Sequence, residues 1–436
     1  MIEERRAMTE RVKSVLIERL NLNLSKEALS NDTILFGVGL GLDSIDALQL
    51  VVGLEAELGL SIPENQPNVL RSINTIVDFI LSQQQECHFA PSLAIDVHVN
   101  NADYNSIRND MAWTIRPDIG VLKVSGEHVL DVLNQLVTSN LYYLGENNML
   151  QTLMLTPEGA VDLYLEVLNL GGYYLLATDK VHLQKLKNHL SAESPVLHLE
   201  DLSAELTLVQ LDGPRAREGI EMFFGVEVMG LRPKMIAPLV REGRNITVVN
   251  LGLTGESGYQ IYLNVQDQNA LIKQAEACFC RAIHRCNPAI HELLKMEACS
   301  FDERACLPNH ENPFAAGLHW MIDLQKEKFV GKAALLAIQE QGLSKKLVPF
   351  IASVEAQGLE VNAALFNADK KIGYIGAVLH SDQLGHDIGY AYVESVYAWP
   401  GITASTSADC GNQAGITLVS APLITTKSQR LSHQGG

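Results

Sequence analysis

The first group in this chain placed to do chemistry is the hydroxyl of Ser44, in the run Gly41-Leu42-Asp43-Ser44-Ile45-Asp46-Ala47-Leu48. A tight glycine approach leads into a helix start. Asp43 is a favourable N-cap, and Asp46 falls where a carboxylate answers the helix dipole and the open N–H groups. Ser44 therefore takes the first helical position, and a phosphodiester formed on it would meet a partly prepared anion site. Ile45, Leu48, Val52, Leu58 and Leu60 follow at helical spacing and are expected to supply the buried face. The thiols are the other reactive candidates. Cys278, Cys280 and Cys286 lie near His284 but lack a paired C-x-x-C spacing, so they read as buried or half-buried thiols and no metal site is expected. Cys299 and Cys306 flank Asp302-Glu303 with no visible base to activate a thiol. No glycine cluster has the spacing of a phosphate loop.

Helices must position Ser44. Residues 2–20 carry an amphipathic period marked by Val12, Val15, Leu16, Arg19 and Leu20. A polar loop over 21–32 leads to the apolar Ile34-Leu35-Phe36. The main helix runs from Ser44 to about Leu58, with Gly59 as its stop and Pro63 and Pro67 in the next loop. A last helix spans about Ser72 to Leu81. The polar stretch 82–92 reads as a linker long enough to let the first domain swing.

Beyond Asp103 strands and helices alternate. Strands are expected at 120–126, 150–155, 161–168, 173–177, 206–211, 247–253 and 258–263. Helices are expected at 127–137, 181–190, from Arg215, at 269–286 and at 290–299. After Lys345 short strands and glycine turns suggest a β-barrel, and the end from Thr425 reads as a loose polar tail.

The whole chain limits what it can do. Its 436 residues suit two or more domains with ample core. The formal net charge of −18 argues against non-specific binding to nucleic acid or an anionic membrane. No apolar run of about 18 residues exists to span a bilayer, and residues 1–20 lack a signal-peptide core. Seven cysteines, odd and irregularly spaced, fit a reducing compartment, so a cytoplasmic location is expected.

Residues 1–85 resemble acyl carrier proteins, in which the serine of an Asp-Ser-Leu motif carries 4′-phosphopantetheine; Ile45 replaces the leucine here. The resemblance implies a four-helix bundle and makes Ser44 the attachment residue. It also implies modification by a phosphopantetheinyl transferase, and partner enzymes that touch the acidic main helix.

Residues from about 103 to 424 resemble the glycine-cleavage T-protein family of folate-dependent aminomethyltransferases. Leu208 to Glu218 (LVQLDGPRARE) is similar to the family's LALQGPRARE, and Gly252 to Tyr259 (GLTGESGY) to its GYTGEDGYE. Lys295 to Ala298 (KMEA), Gly317 to Trp320 (GLHW), Phe329 to Leu335 (FVGKAAL) and Leu384 to Val393 (LGHDIGYAYV) follow in family order. The resemblance implies an α+β domain ending in a small β-barrel. It places Glu256 at the family glutamate that hydrogen-bonds the pterin and Trp320 at an aromatic near the folate. The family strand with paired aspartates aligns with Gly159 to Leu165 (GAVDLYL), where the aspartate positions hold Leu163 and Tyr164. Asp162 stands one residue early, so on a regular strand it faces the other way unless a bulge intervenes. Tyr164 and Asp162 are thus the catalytic candidates. Asn250 stands for a family arginine, Leu253 for tyrosine, Lys295 for arginine and Ala315 for glutamate.

Together the two resemblances imply a multidomain chain: carrier at 1–85, linker at 86–102, folate-binding domain at 103–344, barrel at 345–424 and flexible tail at 425–436. The expected activity is transfer of a one-carbon unit between tetrahydrofolate and an acyl group held as a phosphopantetheine thioester. Tethering raises the effective concentration of that group. Expected partners are acyl-loading and downstream enzymes of a specialised biosynthetic pathway, with no nucleic acid and no membrane. Two other readings stand beside this one. The first is a folate-independent enzyme acting on the carrier-bound acyl group; the second is a non-catalytic docking module.

Overall fold

In the computed structural model the described residues are 2–22, 26, 29–36, 40, 42, 44–62, 67–84, 101–309, 311–354, 356, 359–407 and 415–428. Gly41, Asp43, most of the linker and the end of the tail lie outside them, as does the side chain of Ser44. The first helices are α1 (Ile2–Arg19), α2 (Ser44–Leu58) and α3 (Ile73–Gln84), with a 3-10 turn at Pro67–Leu70 between the last two. Helix α2 begins at Ser44, as its sequence suggests. Its buried face differs from the expected one. Leu50 and Leu54 are fully buried with Val12, Leu16, Ile73 and Ile76, whereas Ile45, Leu48 and Val52 are exposed at 65%, 66% and 56%. Apolar residues occur on nearly every side of α2, so i, i+3, i+7 spacing fits two faces and only packing chooses between them. Leu58 and Leu60 do pack against the core.

The chain forms two compact units. One comprises residues 101–291 and 321–337; the other comprises 1–100, 292–320 and 338–436. In the former, α4 (Ala102–Asn109) is followed by β1 (Ala112–Arg116), β2 (Ile119–Ser125), α5 (Val129–Leu136), β3 (Asn148–Leu155), β4 (Val161–Asn169), β5 (Tyr174–Asp179), α6 (Leu183–Glu193), β6 (His198–Asp201) and β7 (Leu206–Asp212). Next come α7 (Ala216–Phe224), β8 (Ile236–Arg241), β9 (Arg244–Val249), β10 (Gly258–Asn264), α8 (Gln268–Cys278) and β11 (His284–Cys286). One sheet runs β11-β1-β7-β10-β9-β8, the other β3-β4-β5-β2-β6. Odd-numbered residues of β1, β7 and β10 (Trp113, Val209, Leu211, Tyr259, Ile261) pack with α7 and α8. Leu163, Leu165 and Val167 of β4 pack with Leu183, Leu186 and Leu190 around α6. Since strand side chains alternate, each sheet turns its even-numbered residues the other way.

Three expectations are corrected here. The helix anticipated over 269–286 ends at Cys278; Cys280 adopts a left-handed φ of 54°, and His284–Cys286 pairs parallel with β1. Cys278 and Cys280 are exposed rather than half-buried, while Cys286 is buried. In β4 the pairing shifts between Met154↔Leu163 and Leu155↔Val161, so Asp162 is the extra residue of a β-bulge.

The remaining elements are α9 (Ile290–Ala298), α10 (Glu303–Cys306), α11 (Lys332–Gln341), β12 (Lys345–Ala352), β13 (Ala364–Asn367), β14 (Lys370–Ser381), β15 (His386–Glu394), β16 (Thr403–Ala404) and β17 (Ile416–Leu418). Strands β12 to β17 form one sheet in the order β13-β14-β15-β12-β17-β16, and a bridge from Phe366 to Ser405 nearly closes it into a barrel. Its core holds Phe350, Leu365, Ile375, Val393 and Leu418. After β17 the chain passes as a strap along the α1–α3 bundle. Ser420 Oγ donates to Asp78 Oδ2 at 2.6 Å, and Ser72 Oγ donates to the Ala421 carbonyl at 2.7 Å. Asp32 Oδ1 accepts from Ala421 N at 3.0 Å and from Asn74 Nδ2 at 2.9 Å, and Arg71 Nη1 donates to Thr425 Oγ1 at 3.0 Å. Thr425 and Thr426 are buried, so order extends past the expected start of the tail.

Candidate functional site

The even-numbered residues of β1, β7 and β10 make an unusual buried surface. Register aligns Thr114, Gln210 and Gln260 in one row and Ala112, Asp212 and Gly258 in the next. Tyr262 continues the face on β10. Thr114, Gln210, Asp212, Gln260 and Tyr262 are each at most 2% exposed. A polar face sealed from water must find its hydrogen bonds inside the protein or on a ligand. Gly258 is required here, since a Cβ at that position would stand 2.0 Å from Asp212 Oδ1.

Strand β4 meets this face with Tyr164 and Glu166. Gln151 Nε2 donates to Tyr164 Oη at 2.7 Å, and Tyr164 Oη donates to Glu166 Oε1 at 3.2 Å. Glu166 Oε2 accepts from Gln260 Nε2 at 3.1 Å and from Tyr262 Oη at 3.4 Å. These contacts join residues 94 and 96 positions apart and bring the two sheets onto one carboxyl group. Burial, and then the field of Glu166, pushes the phenols of Tyr164 and Tyr262 well above their ordinary range, so both keep their protons. Cations answer the acid. Burial opposes the charge of Arg116, but its hydrogen bond to Asp118 and the fields of Asp118, Glu166 and Asp212 hold its pKa above the usual value. Burial pulls Lys234 down to about 8, against the field of Glu166.

The next row is held from outside the sheet. Gln210 Nε2 donates to Asp212 Oδ1 and to the Leu251 carbonyl, each at 3.0 Å. His291 Nε2 stands 3.3 Å from Thr114 Oγ1 and 3.5 Å from Asp212 Oδ2. Among the described residues, the buried Oε1 atoms of Gln151 and Gln210 have no hydrogen-bond partner. Both lie on the buried face, at 5% and 0% exposure.

The residues singled out from sequence are distributed unevenly. Tyr164 is in the cluster. The bulge takes Asp162 out of it: its Oδ1 pairs with Lys185 Nζ at 2.5 Å and its Oδ2 with His189 Nε2 at 2.8 Å, both on α6. Glu256 is buried, with its Oε1 3.7 Å from Arg108 Nη1, and Arg108 Nη1 donates to the Thr254 carbonyl at 2.7 Å. The turn 254–257 is thus tied to α4. Trp320 belongs to the other unit, where it lines a cavity of about 80 Å³ with Asp32, Cys299, Phe301 and Tyr390. That volume holds a few waters.

Sequence reasoning missed Glu166, Gln151, Gln210, Asp212, Gln260, Tyr262, His291 and Arg108. A signal was present for several. Gln210/Asp212, Gln260/Tyr262 and Tyr164/Glu166 each repeat polar groups at period two inside otherwise apolar strands.

Comparison with known proteins fits this geometry. Residues 94–326 match the GCVT N-terminal domain family, and residues 10–80 match the phosphopantetheine attachment site. The aminomethyltransferase of Alkaliphilus oremlandii (strain OhILAs) is 27% identical over 313 residues, covering 68% of this chain and 82% of that protein. The aminomethyltransferase of Caldanaerobacter subterraneus subsp. tengcongensis is 26% identical over 337 residues, covering 74% of this chain and 84% of that protein. Among solved structures, the glycine cleavage system aminomethyltransferase T from Bartonella henselae superposes with a TM-score of 0.65 at 17% identity. It covers 75% of this chain and 89% of its own, a likeness of fold.

Proposed function

Because the chain belongs to the GCVT N-terminal domain family and carries a phosphopantetheine attachment site, we propose that it moves a one-carbon unit between tetrahydrofolate and an acyl group tethered to Ser44. The acyl group would be a phosphopantetheine thioester in a specialised biosynthetic pathway. The observation that carries this reading is the sealed polar face whose Gln151 and Gln210 Oε1 atoms lack partners among the described residues. A pterin ring presents N–H donors of the kind such acceptors take. Tetrahydrofolate supplies the ring nitrogen that carries the one-carbon unit.

The chain's own groups divide the remaining work. Tyr164, neutral and held between Gln151 and Glu166, orients a ring nitrogen or the acyl carbonyl. Glu256 accepts from the pterin, with Arg108 holding its carboxyl. Glu166, with Arg116 and Lys234 around it, fixes the orientation of Tyr164. Exposed Ile45, Leu48 and Val52 beside Ser44 suit docking of a phosphopantetheinyl transferase and acyl-loading enzymes. No described helix is long and apolar enough to cross a membrane.

Calorimetric titration of the full chain with tetrahydrofolate tests the reading. One molecule should bind per chain, and no binding would remove folate from the proposal. Leu163 and Tyr164 at the family aspartate positions favour a second reading, in which the pocket acts on the acyl group without folate. Turnover of an acyl-loaded chain in folate-free buffer would establish it.

A further inference from the structure

Asp103, in the first turn of α4, lies against His284 and Cys286 of β11. His284 and Cys286 are two residues apart on a strand, so their side chains leave the same face. His284 Nε2 is 2.6 Å from Asp103 Oδ1, and the donor atoms of all three residues lie within 4.8 Å of one another. Asp103 Oδ2 is itself oriented by the Asn287 N–H at 2.9 Å. Cys286 Sγ makes a long contact, 3.6 Å, to the Asp103 backbone carbonyl. Burial, reinforced by the Asp103 and Asp212 charges, pushes this thiol up to about 12.

We propose that Asp103, His284 and Cys286 form a binding site for a divalent cation of the zinc class. One carboxylate oxygen, one imidazole nitrogen and one sulfur are the mixed ligand set that zinc accepts and that magnesium or calcium does not. Donors of a tetrahedral zinc stand roughly 3.4–3.6 Å apart, given bonds of about 2.0–2.3 Å. His284 Nε2 and Asp103 Oδ1 are closer than that, at 2.6 Å, and all three donors lie within 4.8 Å, so side-chain rotations of about an ångström would bring them to that spacing. On binding, the Cys286 S–H bond breaks and its proton leaves to water. His284 offers the Nε2 lone pair in the neutral tautomer that carries its single ring proton on Nδ1. Thiolate and carboxylate then balance the two charges of the ion, and water completes the fourth position.

The ion would join two segments 181 positions apart. Strand β11 pairs with β1 over only three residues at the edge of its sheet. Helix α4 carries Arg108, which holds Glu256. A cation here would therefore brace the helix that orders the turn around Glu256.

The test uses the full chain, stripped with chelator and titrated with Co(II) as the probe. One equivalent should give the intense near-ultraviolet band of thiolate-to-cobalt charge transfer, and Zn(II) should displace it. The band should persist in the Cys278→Ser, Cys280→Ser double variant and vanish in Cys286→Ser. Asp103→Asn should weaken cobalt affinity at least about tenfold, since even an outer partner of a ligand is typically worth 10- to 100-fold. Absence of the band at one equivalent, or its survival in Cys286→Ser, would overturn the site. Should Cys286→Ser fail to fold by circular dichroism, an unchanged affinity in Asp103→Asn would do the same.

Discussion

Tyr164 and Glu166 stand two residues apart on β4, and the Tyr164 hydroxyl donates to Glu166 Oε1 at 3.2 Å inside a face closed to water. In the proposed reading Tyr164 takes the place of a family aspartate, with its proton held by Glu166 and its oxygen left to accept from the ligand. Removing the hydroxyl in Tyr164→Phe should slow one-carbon transfer to a loaded carrier on the order of 100-fold, the scale of losing one preorganised hydrogen-bonding group. Folate affinity should stay nearly unchanged. Single-turnover rates and calorimetry separate the two effects, and equal rates in the variant and the parent chain would exclude this role.

Asp162 makes the contrasting case. Its partners Lys185 and His189 are 44% and 40% exposed at their side chains, so the cluster contributes little, within about 1 kcal/mol. Asp162→Asn should leave turnover within about twofold, because an exposed pair of that strength has no route to the Glu166 face. A collapse of activity would mean that Asp162 leaves α6 during the reaction.

For Glu256 the expected loss is in binding. Glu256→Gln keeps the size of the side chain but exchanges one acceptor for an amide that meets the donors of the pterin. A lost charge-assisted bond costs about 1.5–3 kcal/mol, or roughly 10- to 150-fold in affinity. The same change weakens the pairing with Arg108, so the melting temperature should be read alongside the calorimetry. Tetrahydrofolate affinity equal to that of the parent would confine Glu256 to holding its turn.

Carrier modification is read most directly by mass. Incubation with coenzyme A and a phosphopantetheinyl transferase should add one phosphopantetheine, and Ser44→Ala should abolish the addition. Modification of that variant would place the arm elsewhere.

Stability against acid should report on His319, whose ring stacks on Phe314 with centroids 4.7 Å apart. Burial pulls its pKa from 6.5 to about 3, with the Lys13 and Lys346 charges acting in the same direction. The folded state thus binds fewer protons than the unfolded chain between these values. The contribution is complete above pH 6.5 and is lost as pH falls toward 3, at up to about 1.4 kcal/mol per pH unit. Denaturant titrations of His319→Phe over that window should show a shallower slope, and identical slopes would contradict the assignment.

Particular residues show how far the chain could be read unaided. The start of α2 at Ser44 was legible because capping chemistry is local. The end of α8 was not, because the left-handed turn at Cys280 and the pairing of His284–Cys286 with β1 depend on a strand about 170 positions earlier. The bulge at Asp162 was visible only as an alternative, since register is a property of two strands. Glu166 escaped notice because a polar residue inside an apolar strand reads as a solvent-facing position until a second sheet is known to cover it.

The strap has a consequence for the order of events during synthesis. Its hydrogen bonds to the α1–α3 bundle join residues 342 to 415 positions apart. At about 5–20 residues per second, roughly 17–70 s separate emergence of Asp78 from that of Ser420. The bundle's own contacts reach at most about 73 positions, as between Arg5 and Asp78, and are complete once α3 has emerged. During that interval Asp78 pairs with Arg5 and Asp32 with Asn74, and the strap's bonds to them are still unmade. The strap is therefore the last described part of this unit to take its place, and the bundle must hold together without it until then.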